Sequence, residues 1–188
     1  MDLSRNIVYL EIMIIASIST IAVIYSNQFE IFAQQLGDGH NMPTSSIGDR
    51  QIMFNFTTEP SELKAGSQLF LDFALMDNKT GENVPHTTYL TSILKDETRL
   101  FTGTLHSHDG QIKVQFVPSE IESYKINANY DLLSASYVSD FGSPIKVDGN
   151  VFLTPGDYTV IVEVTGVDFD NLFLPEPIKY EFQIKVNP

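Results

Sequence analysis

GDYTVIVEV at residues 156–164 and IKYEFQIKV at residues 178–186 place an apolar side chain at every second position: Tyr158, Val160, Val162 and Val164 in the first, Ile178, Tyr180, Phe182, Ile184 and Val186 in the second. Successive side chains of an extended strand project to opposite faces, so a period of two marks half-buried strands rather than helix. The same alternation recurs upstream, through Ile52, Phe54 and Phe56 in residues 51–58, through Leu69, Leu71, Phe73 and Leu75 in 67–76, and through Ile112, Val114 and Phe116 in 111–117. Residues 84–95 and 99–105 form a further pair that reverses at Asp96–Thr98, and Asp109-Gly110 is the turn into the next strand. About seven strands at this spacing predict an all-β antiparallel sandwich, Ig-like or cupredoxin-like, over residues 51–188. Residues 120–150 give no regular pattern beyond a turn at Asp148-Gly149-Asn150. A Pro155-Gly156 turn followed by Tyr158 fits a tyrosine corner, in which the phenol ties the turn preceding a late strand. The segment FDNLFLPEP (169–177) is more apolar than a free loop and is expected to pack onto its own domain.

Ahead of the sandwich, residues 7–25 (IVYLEIMIIASISTIAVIY) are almost wholly apolar, broken only by Glu11. The unbroken part is short for a bilayer crossing, which suits a signal peptide with Arg5 before it and a cleavage point after Ala33; the alternative is a retained N-terminal hydrophobic helix anchoring the chain to the membrane. Residues 1–33 are thus signal peptide or anchor, and residues 34–50 (QQLGDGHNMPTSSIGDR) are a polar arm. Both alternatives put the domain outside the cytoplasm. Asn55-Phe56-Thr57 and Asn78-Lys79-Thr80 match the glycosylation acceptor pattern and agree with that location.

Composition narrows the chemistry. A net charge of −13 across 188 residues repels phosphate backbones, and no basic stripe offsets it, so nucleic acid is not an expected partner. With no cysteine, disulfides, thiolate metal sites, type 1 copper and thiol nucleophiles are all excluded. No phosphate loop, nucleophile elbow or His-Glu-x-x-His helix is present, and the acidic Asp168 and Asp170 with Asn171 lack an EF-hand frame. A non-enzymatic role is expected, with a catalytic copper site as the alternative.

The histidines remain. His86 precedes the first strand of the 84–105 hairpin, and His106 and His108 follow the second; antiparallel pairing about Asp96–Thr98 sets His86 opposite Ser107 or His108. Residues two apart share a face, so His106 and His108 form a pinching pair that His86 joins across the strands. Asp109 adds a carboxylate, and His40 reaches the site from the arm. Imidazoles with a carboxylate or water suit Cu(II) or Zn(II), and an oxidising exterior favours copper. The competing expectation is that these are solvated or hydrogen-bonded turn histidines with no metal.

At VPHTTYLTSILKDETRLFTGTLHSHDG (84–110) the chain resembles a group of exported β-sandwich domains of ammonia-oxidising archaea, the likeness covering about residues 37–117; it implies location and fold rather than activity. A weaker likeness links it to the copper resistance protein C family, small exported sandwiches that bind Cu(II) through histidines and an Asp, parts that would fall to His106, His108 and Asp109. The chain is also similar to the extracellular, cupredoxin-like component of particulate methane and ammonia monooxygenases, which combines an amino-terminal His with a His-x-His pair. There the pattern departs, since His40 does not begin the chain after cleavage at Gln34 and His106 and His108 lie beside a turn. Two functions follow as expectations. One is an extracytoplasmic module binding copper, with zinc the second choice, for storage, delivery or support of a membrane complex. The other is a metal-free Ig-like structural or interaction domain of the envelope, an accessory subunit of a membrane enzyme.

Overall fold

The computed structural model describes residues 33–35, 42–139, 143–169 and 173–188. The apolar segment 7–25, His40, Asp170 and Asn171 lie outside them. Among the described residues the chain is all β and holds no helix. The strands are β1 (Ala33–Gln35), β2 (Thr44–Ile47), β3 (Arg50–Glu59), β4 (Leu63–Lys64), β5 (Leu69–Asp77), β6 (Thr87–Lys95) and β7 (Thr98–Ser107). They continue with β8 (Gln111–Pro118), β9 (Lys125–Asn127), β10 (Asn129–Asp131), β11 (Ser136–Val138), β12 (Ile145–Gly149), β13 (Gly156–Gly166) and β14 (Phe173–Asn187).

Two sheets face each other. One runs β1-β14-β13-β6-β7-β11-β10, with β4 also on β14, and the other runs β2-β3-β5-β8-β12-β9. The long strands are those that the alternation marks: β3, β5, β6, β7, β8, β13 and β14. Their inward residues, among them Phe54, Leu71, Phe73, Tyr89, Phe101, Val114, Val160 and Tyr180, are buried in one core. Aromatic rings bridge the sheets, Phe54 stacking on Tyr180 at 4.3 Å, Phe56 on Phe182 at 4.1 Å, and Phe73 meeting Tyr89 edge-on at 5.1 Å. Each such pair adds about 0.5–1.5 kcal/mol beyond its buried area.

The expectation of seven antiparallel strands needs correction, because both sheets are mixed. β12 runs parallel to β8, β11 parallel to β7, and β1 and β4 parallel to β14. The additional strands are only two to five residues long, as at β4 and β12. So short a segment offers one or two apolar positions, too few to declare a period. Residues 120–150, irregular in sequence, contain four of them, β9 to β12, and Asp148 and Gly149 belong to β12 rather than to a turn. Within the polar arm, Thr44–Ile47 pairs with β3 as an edge strand.

The corner at β13 is built as its residues suggest: the Tyr158 hydroxyl donates to the Thr154 carbonyl at 2.7 Å. In the 169–177 segment the described residues divide: Leu174 packs against the core, whereas the two phenylalanines do not. Phe169 and Phe173 are 62% and 59% exposed. β14 begins at Phe173, opposite Gly166, after a register shift in β13. Pairing there satisfies the backbone while leaving both rings outside the core.

Candidate metal centre

β6 and β7 pair with Thr87 facing Ser107 and Thr88 facing His106. Beyond the last ladder pair, the His86 N–H donates to the His108 carbonyl at 3.2 Å, which is the register read from the reversal at Asp96–Thr98. In that register Thr88, His106, His86 and His108 share one face at the open end of the hairpin. The imidazole centroids lie 6.2 Å apart for His86–His106, 5.4 Å for His86–His108 and 5.0 Å for His106–His108. One ring nitrogen from each lies within 4.8 Å of the other two. Around an ion with bonds of about 2.0–2.1 Å, tetrahedral nitrogens stand about 3.3 Å apart, so small side-chain rotations close the set.

Burial is graded across the three. His106 is fully buried, His86 half-buried and His108 exposed. The Thr88 hydroxyl lies 2.9 Å from His106 Nδ1 and is itself buried, so the ring at the floor of the cluster has a fixed partner. A hydroxyl or carbonyl on one ring nitrogen orients a ligating imidazole and sets its tautomer.

The segment carrying His86 is tied from several sides. Val84 N–H donates to Leu75 O at 2.8 Å, Thr87 Oγ1 donates to Val84 O at 2.7 Å, and Asp168 N–H donates to Pro85 O at 2.9 Å. Asp168 is in turn held by Arg50 Nη1 at 2.9 Å. Between these ties His86 adopts φ 49°, a left-handed conformation that costs a non-glycine residue about 1–2 kcal/mol. Strain of this kind persists only where the surroundings over-determine it. The facing turn is equally constrained. Gly110 has φ +81°, and a Cβ there would lie 2.1 Å from Val84 O, so the two segments meet at a distance that only glycine permits. Beneath them the Tyr89 hydroxyl, fully buried, donates to Gly110 O at 2.8 Å and accepts from Leu75 N–H at 3.0 Å. Burial pushes the phenol well above its ordinary pKa, so it remains a donor at any working pH.

Asp109 is placed differently from the histidines. Its Oδ1 accepts from Ser107 Oγ at 2.5 Å and from Gln111 N–H at 3.2 Å, which commits the carboxylate to its own turn and leaves it outside the group of close ligand atoms. Asp131 approaches from the β10–β11 turn. Backbone N–H groups of Ser134 and Leu133 and the Ser134 hydroxyl hold its carboxyl below the usual range, with a smaller contribution from His106. A shallow groove lined by Leu90, Thr102, Thr104, Tyr130 and Tyr137 opens on the same sheet.

Thr88, Tyr89 and Gly110 are the supporting residues that sequence reasoning missed. Thr88 was within reach of it, because the hairpin register alone sets Thr88 opposite His106. Tyr89 carried no signal beyond that of a core aromatic. The chain matches no protein-family model and no curated protein.

Proposed function

We propose that this domain is an extracytoplasmic metal-binding module in which His86, His106 and His108 hold one divalent ion, Cu(II) foremost and Zn(II) second. The observation that carries this is the mutual approach of three imidazole nitrogens to within 4.8 Å on a hairpin end tied to the core. Nitrogen-only donor sets favour Cu(II) over Zn(II) in intrinsic affinity, and the absence of cysteine removes the thiolate that a type 1 centre needs. The frame is Ig-like: β14-β13-β6-β7 beside β3-β5-β8 follows the G-F-C-C′ and A-B-E strand orders, and Tyr158 stands where such folds carry their corner tyrosine. The apolar run at residues 7–25 supports export or anchoring, and storage or delivery of the ion is the role that fits a chain without recognisable catalytic parts.

Titrating the purified protein with Cu(II) tests the proposal. One equivalent bound, a spin-resonance signal with imidazole nitrogen coupling, and loss of both in the His86→Ala, His106→Ala, His108→Ala triple variant are expected. Unchanged affinity in that variant refutes it.

One observation favours a second reading, an envelope interaction domain without metal. Leu132 and Leu133, at the tip of the β10–β11 turn, are 86% and 75% exposed, and Phe169 and Phe173 are exposed as well. Apolar side chains of this size in solvent fit an accessory subunit that docks on a membrane complex. Crosslinking in intact membranes tests it, and recovery of the chain alone under all conditions counts against it.

A further inference from the structure

We propose that Asn78 is an N-glycosylation site, the acceptor for an oligosaccharide delivered from a lipid-linked donor, and that Asn55 is not. This rests on the export half of the reading above and is independent of any metal. The chain holds two Asn-x-Thr triplets without proline at the middle position, Asn55-Phe56-Thr57 and Asn78-Lys79-Thr80. Short triplets recur by chance, so the pattern alone does not separate the two. Their places in the fold do.

Asn78, Lys79 and Thr80 form the turn that follows β5, and all three are exposed, as are Gly81 and Glu82 after them. The turn is held by its own backbone and by the carboxylate at its base. Gly81 N–H donates to Asp77 O at 2.8 Å, and Asp77 N–H donates to Glu82 O at 2.8 Å. Asp77 Oδ1 accepts from Lys79 N–H at 2.8 Å and from Thr80 N–H at 3.1 Å, while Asn78 N–H donates to Gln51 O at 2.9 Å. None of these bonds uses the Asn78 carboxamide. The Thr80 hydroxyl oxygen accepts from Glu82 N–H at 3.2 Å, which leaves its own proton to donate. A Cβ built at Gly81 would meet nothing within 4 Å, so the space beside the turn is open. A bulky saccharide attached here displaces no packed side chain.

Asn55 is the opposite case. It lies within β3, where every residue from Ile52 to Glu59 faces a partner on β5, Asn55 facing Ala74. Its neighbours Phe54 and Phe56 belong to the core and stack on Tyr180 and Phe182 of the other sheet. An enzyme that must surround the acceptor triplet reaches Asn55 only by lifting β3 from its sheet, together with both aromatic contacts. Asn78 is reached on the folded domain.

The transfer is a nucleophilic substitution and needs no redox partner. Asn78 Nδ2 attacks the anomeric carbon of a sugar carried on a polyprenyl phosphate or diphosphate, and the N–C bond forms as the C–O bond to the phosphate breaks. The lipid phosphate leaves with the electron pair, and the carboxamide proton passes to a base of the transferase. Thr80 supplies the hydroxyl two residues on by which the triplet is recognised.

Glycopeptide mass spectrometry of the full-length protein isolated from its own cells tests this. A saccharide mass on the peptide containing Asn78, none on the peptide containing Asn55, its loss in Asn78→Gln and Thr80→Ala, and its retention in Thr80→Ser are expected. An unmodified Asn78, a saccharide on Asn55, or a saccharide that survives Thr80→Ala overturns the proposal. A membrane-impermeant amine-reactive label applied to intact cells separates the two ways of failing, read at the exposed Lys64. If Lys64 is labelled and Asn78 is bare, this inference falls and export stands. If Lys64 is protected until the cells are lysed and Asn78 is bare, the export reading fails and this inference fails with it.

Discussion

Replacing Tyr89 with Phe removes one oxygen atom from the junction between the core and the histidine cluster. The hydroxyl lies in a fully buried side chain and makes two hydrogen bonds, donating to Gly110 O at 2.8 Å and accepting from Leu75 N–H at 3.0 Å. Both partners are backbone groups in the interior, and neither can turn to water when the oxygen is lost. Leaving a buried donor or acceptor unsatisfied costs about 1–3 kcal/mol each, set against a small gain from a more apolar ring. The net expectation is a loss of about 2–4 kcal/mol, which in a domain of this size lowers the melting temperature by roughly 5–15 °C. Denaturant unfolding of the metal-free protein measures it without ligand linkage. The same variant frees the 107–110 turn, so Cu(II) affinity should fall several-fold although no ligand has changed. A Tyr89→Phe protein within about 0.5 kcal/mol of wild type, with unaltered copper affinity, refutes the claim that this phenol anchors the site.

The graded burial separates stability from ligation: His106→Ala should cost about 2–4 kcal/mol, through the cavity and the stranded Thr88 hydroxyl, whereas His108→Ala should stay within about 0.5 kcal/mol, yet both should bind copper more weakly. Calorimetric melts alongside copper titrations decide this. Gly110→Ala should destabilise by about 2 kcal/mol or more, because its Cβ meets Val84 O at 2.1 Å and its φ is +81°, and a soluble variant with native stability would contradict that contact. Tyr158→Phe should cost about 1–2 kcal/mol by releasing the Thr154 carbonyl, measured by urea unfolding and without effect on copper binding.

How much of this was legible in the sequence depended on the length of each apolar run. β13 and β14 extend over eleven and fifteen residues, so alternation, sheet membership and the inward face all followed from them. β12 is five residues long with apolar side chains only at Ile145 and Val147, and its parallel pairing to β8 is set by a crossover that no local pattern encodes. Among the candidate ligands, the juxtaposition of His86, His106 and His108 was readable because antiparallel register is arithmetic once the turn is placed. The fate of Asp109 was not, since a carboxylate beside a glycine turn serves equally as ligand or as turn acceptor, and Ser107 and Gln111 N–H decide between them. The left-handed backbone at His86 was hidden for a similar reason: Pro85 precedes it, and proline constrains the residue before itself rather than the one after.

That backbone separates a built site from an incidental one. A left-handed φ of 49° costs His86 about 1–2 kcal/mol, a cost that glycine does not bear, while glycine gives up about 0.5–1 kcal/mol in unfolded-state freedom. His86→Gly should therefore match or slightly exceed the wild type in metal-free stability, by about 0–1 kcal/mol. With Zn(II) at 100 times its dissociation constant, the wild type gains about 2.7 kcal/mol that a variant with one ligand fewer cannot recover at the same concentration. The order of stabilities should consequently reverse when zinc is added. Paired thermal melts with and without Zn(II) read this directly, and zinc suits the measurement because it is not redox-active. If His86→Gly is destabilised to the same extent in both conditions, the imidazole serves packing at the hairpin end and the strain has no metal to explain it. A reversal ties the strained conformation to ligation, since only an interaction with the folded, three-histidine state can offset a cost that the metal-free protein bears in full.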